Sequence, residues 1–235
     1  MFGARGNAGR SGHPTLVIVA ALNEEAGIKP TLTELMGYVD KPHFLVVDGW
    51  SRDDTVRTAY EMGAEVITQK GEGKGNAIAT AIEHAKSFSG EYVILIDADY
   101  TYPAVYLPKM VDILERNPQV GMVCGNRFDK HLRWETMNDL FYVGNRLLAF
   151  THSLMNGVYL RDPLTGLRVV RWEILKKWAP RSKGFDVEVE LNRYVENRGY
   201  AIVEVPIHYR VRLGEKKLKL RHGFTILRRI MVESI

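Results

Sequence analysis

The sequence has little of what disulfide-bonded, zinc-stapled or membrane-spanning proteins depend on. Only one of its 235 residues is a cysteine, Cys124, which excludes an intramolecular disulfide and a cysteine-based zinc site. The longest apolar runs fall far short of the roughly 20 residues that cross a bilayer. Residues 1–14 have no signal-peptide hydrophobic region. We therefore expect a cytoplasmic or cytosol-facing chain, in which any metal is bound by oxygen or histidine ligands.

The charge is concentrated at one end of the chain. The composition, 46% hydrophobic and 26% charged, is that of a globular protein with a buried core, and the formal net charge is +4. Residues 208–235 contain eight Lys and Arg against two Glu, whereas the preceding residues carry a small negative excess. A basic end predicts binding to phosphates, nucleic acid or an anionic membrane surface, and the alternative is a solvated charged face.

Short apolar runs alternate with helical patterns along the first half of the chain. Thr15 to Leu22 is a β-rich run, after which Ile28, Leu32 and Leu35 recur at helical spacing. The further predicted elements are strands at 44–47, 65–68, 92–96 and 120–124 and helices at 51–62, 75–88 and 135–155. This alternation predicts an α/β fold with a mostly parallel sheet flanked by helices.

The sharpest chemical signal follows the strand at 92–96. The apolar run leads directly into Asp97 and Asp99, which are separated only by the small Ala98. Ligands of open parallel sheets bind beyond the carboxyl ends of the strands, and carboxylate oxygens suit Mg²⁺ or Mn²⁺ while leaving coordination positions for substrate phosphates. The pair therefore predicts a metal-nucleotide site, and the alternative is two solvated turn aspartates.

Two other strand ends carry weaker signals. Asp48 is placed to accept hydrogen bonds from a base or ribose, whereas Ser51 and Asp53 are interpreted as caps of the next helix. The glycine-rich residues 71–76 open a helix but lack P-loop spacing. Their backbone amides, together with Lys74, could meet a nucleotide or phosphate, and the alternative is a flexible turn with a solvated lysine.

Several ordered motifs together resemble those of family 2 glycosyltransferases. They are Ala20-Ala21-Leu22-Asn23-Glu24-Glu25, Val47 to Thr55, Gly73-Lys74-Gly75-Asn76, Asp97-Ala98-Asp99, Gly125-Asn126-Arg127-Phe128, Asp162 to Arg168 and Gly184 to Leu191. Within that family the chain is most similar to the branch of dolichol-phosphate mannose synthases and polyprenol-phosphate glucosyltransferases. The resemblance implies the GT-A fold, a nucleotide-sugar donor, a divalent metal (Mg²⁺ or Mn²⁺), and inversion at the anomeric carbon.

The resemblance also implies roles for individual residues. Around the donor nucleotide it places Ala20, Leu22, Glu24, Asp48, Asp97 and Ala98, and around the phosphates Arg127, Lys183, Arg212 and Lys217. The metal would be held by Asp99 with Asp97 and with Thr101, which stands where mannose synthases have a glutamine. Two further departures alter the base-binding pocket: Ala20-Ala21-Leu22-Asn23-Glu24 replaces Pro-x-Tyr-Asn-Glu, and Gly49 replaces a second Asp after Asp48.

The acceptor decides whether a general base is needed. A lipid phosphate is already anionic, whereas a hydroxyl acceptor requires a carboxylate to take its proton. The candidates are Asp186, Glu188 and Glu190, of which the last two belong to a family motif. On a strand the three would share one face, whereas on a helix Asp186 and Glu190 would stack and Glu188 would diverge. The alternative is a helix start with acidic side chains that complement its dipole.

These signals divide the chain into a flexible arm (1–14), a single GT-A catalytic domain (15–212) and a basic amphipathic tail (213–235). The catalytic domain would comprise a nucleotide-binding half (15–100) and an acceptor half (101–212). In the tail, cations alternate with apolar residues at roughly helical spacing, so it can form an amphipathic helix on an anionic membrane surface. The alternative is a terminal helix packed on the domain. Relatives often continue into transmembrane helices, so we expect a naturally short form, a membrane-protein partner or a truncated sequence.

Three functions fit the sequence. The first is hexose transfer from GDP-mannose or UDP-glucose to a dolichyl or polyprenyl phosphate, by a protein peripheral to the cytosolic face of a membrane. The second is a soluble transferase that acts on a small-molecule or polysaccharide hydroxyl. The third is a non-catalytic binding module. Intact Asp97 and Asp99 argue against the third function, and the sequence has no recognised nucleic-acid motif, so no nucleic-acid partner is expected.

Overall fold

The computed structural model describes residues 15–128 and 159–215, together with Ile226 and Arg228. Within these ranges the strands are β1 (Thr15–Ala21), β2 (Pro42–Asp48), β3 (Glu65–Thr68), β4 (Tyr92–Asp97), β5 (Val120–Asn126), β6 (Arg168–Arg171) and β7 (Ala201–Pro206). The helices are α1 (Glu25–Tyr38), α2 (Thr55–Glu61), α3 (Lys74–His84), α4 (Leu107–Arg116), α5 (Trp172–Leu175) and α6 (Val187–Glu196).

The strands form one mixed sheet in the order β3-β2-β1-β4-β6-β5-β7. Strands β1, β2, β3 and β4 pair in parallel, and β5 pairs in parallel with β7. Strand β6 lies antiparallel between β4 and β5, so the other six strands run in one direction. The predicted fold class, a mostly parallel sheet flanked by helices, is confirmed.

Helices cover both faces of this sheet because the central strands are apolar on both sides. On one face, α1 and α4 bury Ile28, Leu32 and Leu114 against the sheet. On the other face, α3, α5 and α6 bury residues such as Ala81 and Leu191. This arrangement leaves the carboxyl ends of the parallel strands as the edge where side chains can meet a ligand.

The predicted elements agree with the observed ones apart from their ends. Strand β1 stops at Ala21, one residue before the predicted end, and α2 begins at Thr55 rather than at residue 51. Helix α3 ends at His84 and continues as a short 3₁₀ turn, Ala85–Ser87. The segment 184–191, for which the sequence allowed either a strand or a helix, contains the start of α6. The helix predicted at 135–155 lies outside the described residues.

A close approach of α1 brings its first turn to the Asp97–Asp99 segment. Gly27 has no side chain, and a Cβ there would lie 2.5 Å from the Ala98 carbonyl oxygen. The Thr31 hydroxyl donates to the same carbonyl at 3.3 Å. Helix α1 therefore packs against the backbone of this segment, and the carboxylates of Asp97 and Asp99 lie at the carboxyl end of β4.

Candidate active site

The ends of the central strands lie side by side, as the sequence predicted. Ala21 of β1 is in register with Asp48 of β2, and Ala20 is in register with Asp97 of β4. The motifs that follow these strands therefore meet at one edge of the sheet. Ala20 and Asp97 line a small cavity beneath this edge, together with residues of α3 and α6.

Lys74, the first residue of α3, bridges two acidic side chains at this edge. Its Nζ lies 2.5 Å from Asp97 Oδ1 and 2.8 Å from Glu188 Oε1. Burial of Lys74 opposes its positive charge, but Asp97 and Glu188 outweigh that cost and raise the pKa of the lysine. Lys74 is therefore a permanent cation of the site rather than the solvated lysine of the alternative interpretation.

Asp99 has a different set of partners. Its Oδ1 accepts a hydrogen bond from the Thr101 hydroxyl at 2.6 Å, and its Oδ2 lies 3.0 Å from Arg212 Nη1. The other terminal nitrogen of Arg212 donates to Glu24 Oε1. One guanidinium thus joins two buried carboxylates. Thr101 is fully buried, and this geometry gives it a role in orienting Asp99.

This edge fits a hard divalent cation. Burial of Asp99 and the neighbouring charge of Asp97 raise the pKa of the Asp99 carboxyl, because both disfavour its charged form. Carboxylate oxygens are the ligands that Mg²⁺ and Mn²⁺ prefer. Within residues 15–128 and 159–215, no three acidic, histidine or cysteine side chains cluster as a complete metal cage.

Arg127 contacts an aspartate rather than an open pocket. Its Nε and Nη2 each donate to the Asp162 carboxylate at 2.7 Å. Its guanidinium carbon lies 5.5 Å from the centre of the Phe128 ring and 5.3 Å from that of Tyr209. Burial opposes the charge of Arg127, but Asp162 outweighs that cost and raises the arginine pKa further. Asp162 therefore engages two of the three guanidinium nitrogens of Arg127, and Nη1 is the nitrogen left for the predicted phosphate contact.

The two motif glutamates on α6 differ in their surroundings. Both Glu190 oxygens accept hydrogen bonds of 2.7 Å, from the amides of Arg181 and Ser182. Glu190 therefore fixes the loop before α6, and its role as a base stays a prediction. Glu188 faces Lys74 instead, because on a helix it diverges from Glu190 as anticipated.

The start of α3 is closed by the same loop. The amides of Gly75 and Asn76 donate to the Lys183 carbonyl at 2.9 and 3.4 Å. These are amides that the sequence suggested for binding a phosphate, and in the structure they bind the loop instead. Gly73 and Gly75 allow this contact, because a Cβ at either would lie 2.4 or 1.9 Å from a carbonyl oxygen of the loop. The Lys183 side chain is exposed.

The remaining predicted residues fall into three groups. Asp48 accepts hydrogen bonds from the amides of Trp50 and Ser51 at 3.0 and 3.1 Å, so its carboxylate shapes the turn after β2. Leu22 is exposed beyond β1, whereas Ala98 is buried. Lys217 lies outside the described residues.

Sequence reasoning missed two neighbours of the site. Asp162 belongs to one of the family motifs but was given no role of its own, and only the fold shows it paired with Arg127. Trp50 is 64% exposed and has φ +69°, a left-handed backbone that large side chains rarely adopt. A bulky apolar residue between Gly49 and Ser51 in a turn was the signal that could have drawn attention to it.

Comparisons with known proteins identify the family of this chain. The profile of glycosyl transferase family 2 matches residues 16–178. A dolichyl-phosphate hexose transferase of Haloferax volcanii is 36% identical over 205 residues, which cover 86% of this chain and 85% of that protein. A dolichol-phosphate mannosyltransferase of Pyrococcus furiosus is 27% identical over 231 residues, 91% of this chain and 62% of that protein.

The fold is also found in a solved structure. Glucosyl-3-phosphoglycerate synthase from Mycobacterium tuberculosis, in complex with Mn²⁺, UDP-glucose and phosphoglyceric acid, superimposes with a TM-score of 0.73 at 23% identity. The match covers 96% of this chain and 81% of that one. The family and the branch that the motifs predicted are confirmed by the profile and the relatives. The chain belongs to glycosyl transferase family 2 and is a glycosyltransferase.

Proposed function

We propose that this protein transfers a hexose from a nucleotide sugar, GDP-mannose or UDP-glucose, to a dolichyl or polyprenyl phosphate, with inversion at the anomeric carbon. The sugar donor would bind at the carboxyl ends of β1, β2 and β4. The lipid acceptor is supported by the name of the Haloferax volcanii relative, whose sequence matches over most of both chains.

The observation that carries the proposal is the pairing of the acidic side chains at the site. Glu190 holds two loop amides, Glu188 and Asp97 face Lys74, and Asp99 faces Arg212. A carboxylate held by cations is a weak base, so activation of a hydroxyl acceptor would first require one of these contacts to break. A phosphate acceptor is already anionic and needs no such step. The pairing therefore favours a phosphate over a hydroxyl.

A divalent metal, Mg²⁺ or Mn²⁺, would be held by Asp99 with Asp97 and would supply positive charge against the diphosphate leaving group. Lys74 fixes the orientation of Asp97, and Thr101 fixes that of Asp99. Arg212 supplies a further cation on the same side. Such preorganised charges favour a transition state in which negative charge develops on the leaving group.

We place the reaction at the cytosolic face of a membrane, with the basic tail against anionic headgroups. Among the residues that the structure describes, none of the helices has the length and apolar character of a membrane span. The described tail residue Ile226 is buried beside Val189 of α6, as the alternative of a terminal helix packed on the domain would have it. Membrane attachment and a membrane-protein partner are therefore separate proposals from the chemistry.

The test is a transfer assay with radiolabelled GDP-mannose and UDP-glucose, Mn²⁺ or Mg²⁺, and vesicles that contain dolichyl phosphate. We expect label from one sugar donor to enter the organic phase and to be released by mild acid. The Asp99→Asn variant should reduce the rate by about 100-fold or more, the scale of removing one transition-state interaction. Asp112→Asn, in the exposed Asp112–Arg116 pair of α4, makes the same chemical change outside the site and is the matched control.

The second function has its own arm in the same assay. A panel of water-soluble acceptors with free hydroxyls replaces dolichyl phosphate, and label is followed in the aqueous phase. Transfer only to a hydroxyl acceptor would overturn the lipid-phosphate proposal while leaving the sugar-donor site intact. Release of free hexose in both arms without transfer to any acceptor would count against it as well.

A further inference from the structure

A short segment after β7 lies across the acidic edge of the site. We call residues 207–214 the strap. The Arg210 amide donates to the Thr101 carbonyl at 2.9 Å, and the Leu213 amide donates to the Asp99 carbonyl at 3.1 Å. These backbone contacts fix the strap on either side of Arg212. The position of the arginine is therefore set by the fold rather than by its own side-chain contacts alone.

The Arg212 side chain lies between two buried carboxylates. Glu24 and Asp99 are each only 5% exposed, and burying two carboxylates close together is costly unless a cation compensates them. The planar guanidinium meets both, through Nη1 to Asp99 and Nη2 to Glu24. A lysine would meet both carboxylates with one ammonium, whereas the planar guanidinium contacts each of them through a separate nitrogen.

Arg212 and a metal would compete for the same oxygen. Asp99 Oδ1 already accepts from the Thr101 hydroxyl and amide, so Oδ2, the oxygen that Arg212 holds at 3.0 Å, is the one open to exchange. A guanidinium and a divalent ion bound to this oxygen at once would place two cationic groups in contact. Such like charges repel strongly in a partly buried site.

We infer that Arg212 is the resident counter-ion of the site, which a divalent metal must displace, and that the displaced guanidinium then meets the donor diphosphate. This inference rests on the proposed metal-dependent function. In this structure Arg212 compensates Glu24 and Asp99. With Asp99 engaged by a metal, the Arg212 guanidinium would be free to turn towards the negative charge of the nucleotide, which arginine can bind in a bidentate manner. Arg212 thus lowers metal affinity before the nucleotide binds.

The test measures Mn²⁺ binding to the full chain without nucleotide, from the electron paramagnetic resonance signal of free Mn²⁺. We expect Arg212→Gln to lower the Mn²⁺ dissociation constant about 10-fold or more relative to the unmodified protein. Arg212→Lys, which keeps the charge but not the planar fork, should lower it by a smaller factor. The same Gln variant should bind GDP or UDP more weakly at saturating Mn²⁺, so its two affinities shift in opposite directions.

Arg210 provides the matched control on the same strap. Its guanidinium pairs with Glu34 of α1 at 2.5 and 2.8 Å and lies 4.3 Å from the centre of the Tyr100 ring. Arg210→Gln removes an equal charge from the strap but leaves Glu24 and Asp99 with their partner. We expect Mn²⁺ affinity to stay within about two-fold of the unmodified protein, since the Arg210–Glu34 pair shares no partner with Asp99.

The outcomes separate this inference from the proposed function. Unchanged or weaker Mn²⁺ binding by Arg212→Gln, in protein that still binds Mn²⁺ with nucleotide, overturns the inference alone. An equal gain in Arg210→Gln overturns it too, because it would reflect net charge rather than displacement. If Arg212→Gln does not fold, the Lys variant decides by the same criterion. Absence of Mn²⁺ binding by every variant, with nucleotide present, overturns the metal-dependent function itself.

Discussion

Lys74 is the buried cation on which two acidic side chains of the site depend. It begins a helix in the first half of the chain, yet one of its partners, Glu188, belongs to α6 in the second half. The contact therefore joins distant parts of the sequence through charge. It also explains why Glu188, a reasonable base on sequence grounds, is held as a counter-ion.

Replacing Lys74 should show the cost of leaving these carboxylates without their cation. We expect Lys74→Met to lower the free energy of unfolding by about 3 kcal/mol, because breaking a buried ion pair leaves a buried charge without its partner. Lys70→Met is the control, since the Lys70–Glu83 pair is exposed on both sides and its loss should leave the free energy of unfolding almost unchanged. Urea unfolding at pH 7 measures both, and equal effects would contradict the buried role of Lys74.

Glu196, at the end of α6, should make stability depend on pH. Burial raises its pKa to about 7, and among the described residues neither carboxylate oxygen has a hydrogen-bond partner. The folded protein therefore holds this proton more tightly than the unfolded chain. The resulting stabilisation is complete below the ordinary glutamate pKa and is lost as the pH rises through about 7.

The Glu196→Gln variant tests this sign, because glutamine resembles the protonated acid. We expect it to be more stable than the unmodified protein by about 1 kcal/mol at pH 8, a figure reduced because the side chain is partly solvated. The difference should shrink towards pH 5. Urea unfolding across this range measures it, and a variant that is less stable than the unmodified protein at pH 8 would show that Glu196 is held by a partner.

The sequence predicted the acidic pair of the site but not the partners of its other residues. Asp97 and Asp99 could be found because they directly follow a buried strand, which is a local signal. Arg127 and Asp162 are 35 positions apart, and their bidentate contact depends on how β5 and the segment before β6 are brought together. Pairings of this kind are set by topology, so the roles assigned to Arg127 and Glu190 could not be refined from residue type alone.

At the scale of elements, the start of α3 and the loop at 181–184 form one unit. Helix α3 positions Lys74, while the loop before α6 supplies the carbonyl that caps the helix and the amides that bind Glu190. The glycines at 73 and 75 allow the two backbones to touch. The glycines of this motif thus allow the helix and the loop to pack together, whereas Lys74 pairs with the acidic side chains of the site.

A methyl group at position 75 should disrupt the contact between the start of α3 and the loop at 181–184. A Cβ there would lie 1.9 Å from the Ser182 carbonyl oxygen, so we expect Gly75→Ala to lower the free energy of unfolding by about 2 kcal/mol, as overpacking does. Gly37→Ala in α1 is the matched control, since its Cβ would meet nothing within 4 Å. That change should stabilise the protein by about 0.5 kcal/mol through helix propensity. Urea unfolding compares the two, and equal stability would contradict the packing.

The strands and helices up to β4 could be predicted in order, whereas the later elements could be predicted only in part and the direction of β6 could not be predicted. Strands β1 to β4 are short apolar runs followed by helical patterns, so local periodicity was sufficient. Strand β6 has only the residues Arg168–Arg171 and lies antiparallel between β4 and β5. Its position depends on hydrogen bonds with strands far away in sequence, and no pattern of side chains within it reveals that choice.

At the scale of the molecule, a single sheet carries residues from both halves of the chain to one edge. The first half contributes Glu24, Lys74 and Asp99, and the later half contributes Glu188 and Arg212. The basic residues of the tail follow directly after the strap, so a surface that recruits anionic headgroups would lie close in sequence to the site. The net charge of +4 is thus a feature of one end, not of the whole surface.

The measurement that tests the sugar-donor site most directly is calorimetric titration of GDP and UDP into the protein, with and without Mn²⁺. We expect one nucleotide to bind at least about 10-fold more tightly with Mn²⁺, since the carboxylates and the diphosphate would both supply oxygen ligands to the metal. Asp99→Asn should abolish that gain. Binding of neither nucleotide, or an Mn²⁺ effect that survives in Asp99→Asn, would contradict the assignment of the sugar-donor site to the carboxyl ends of these strands.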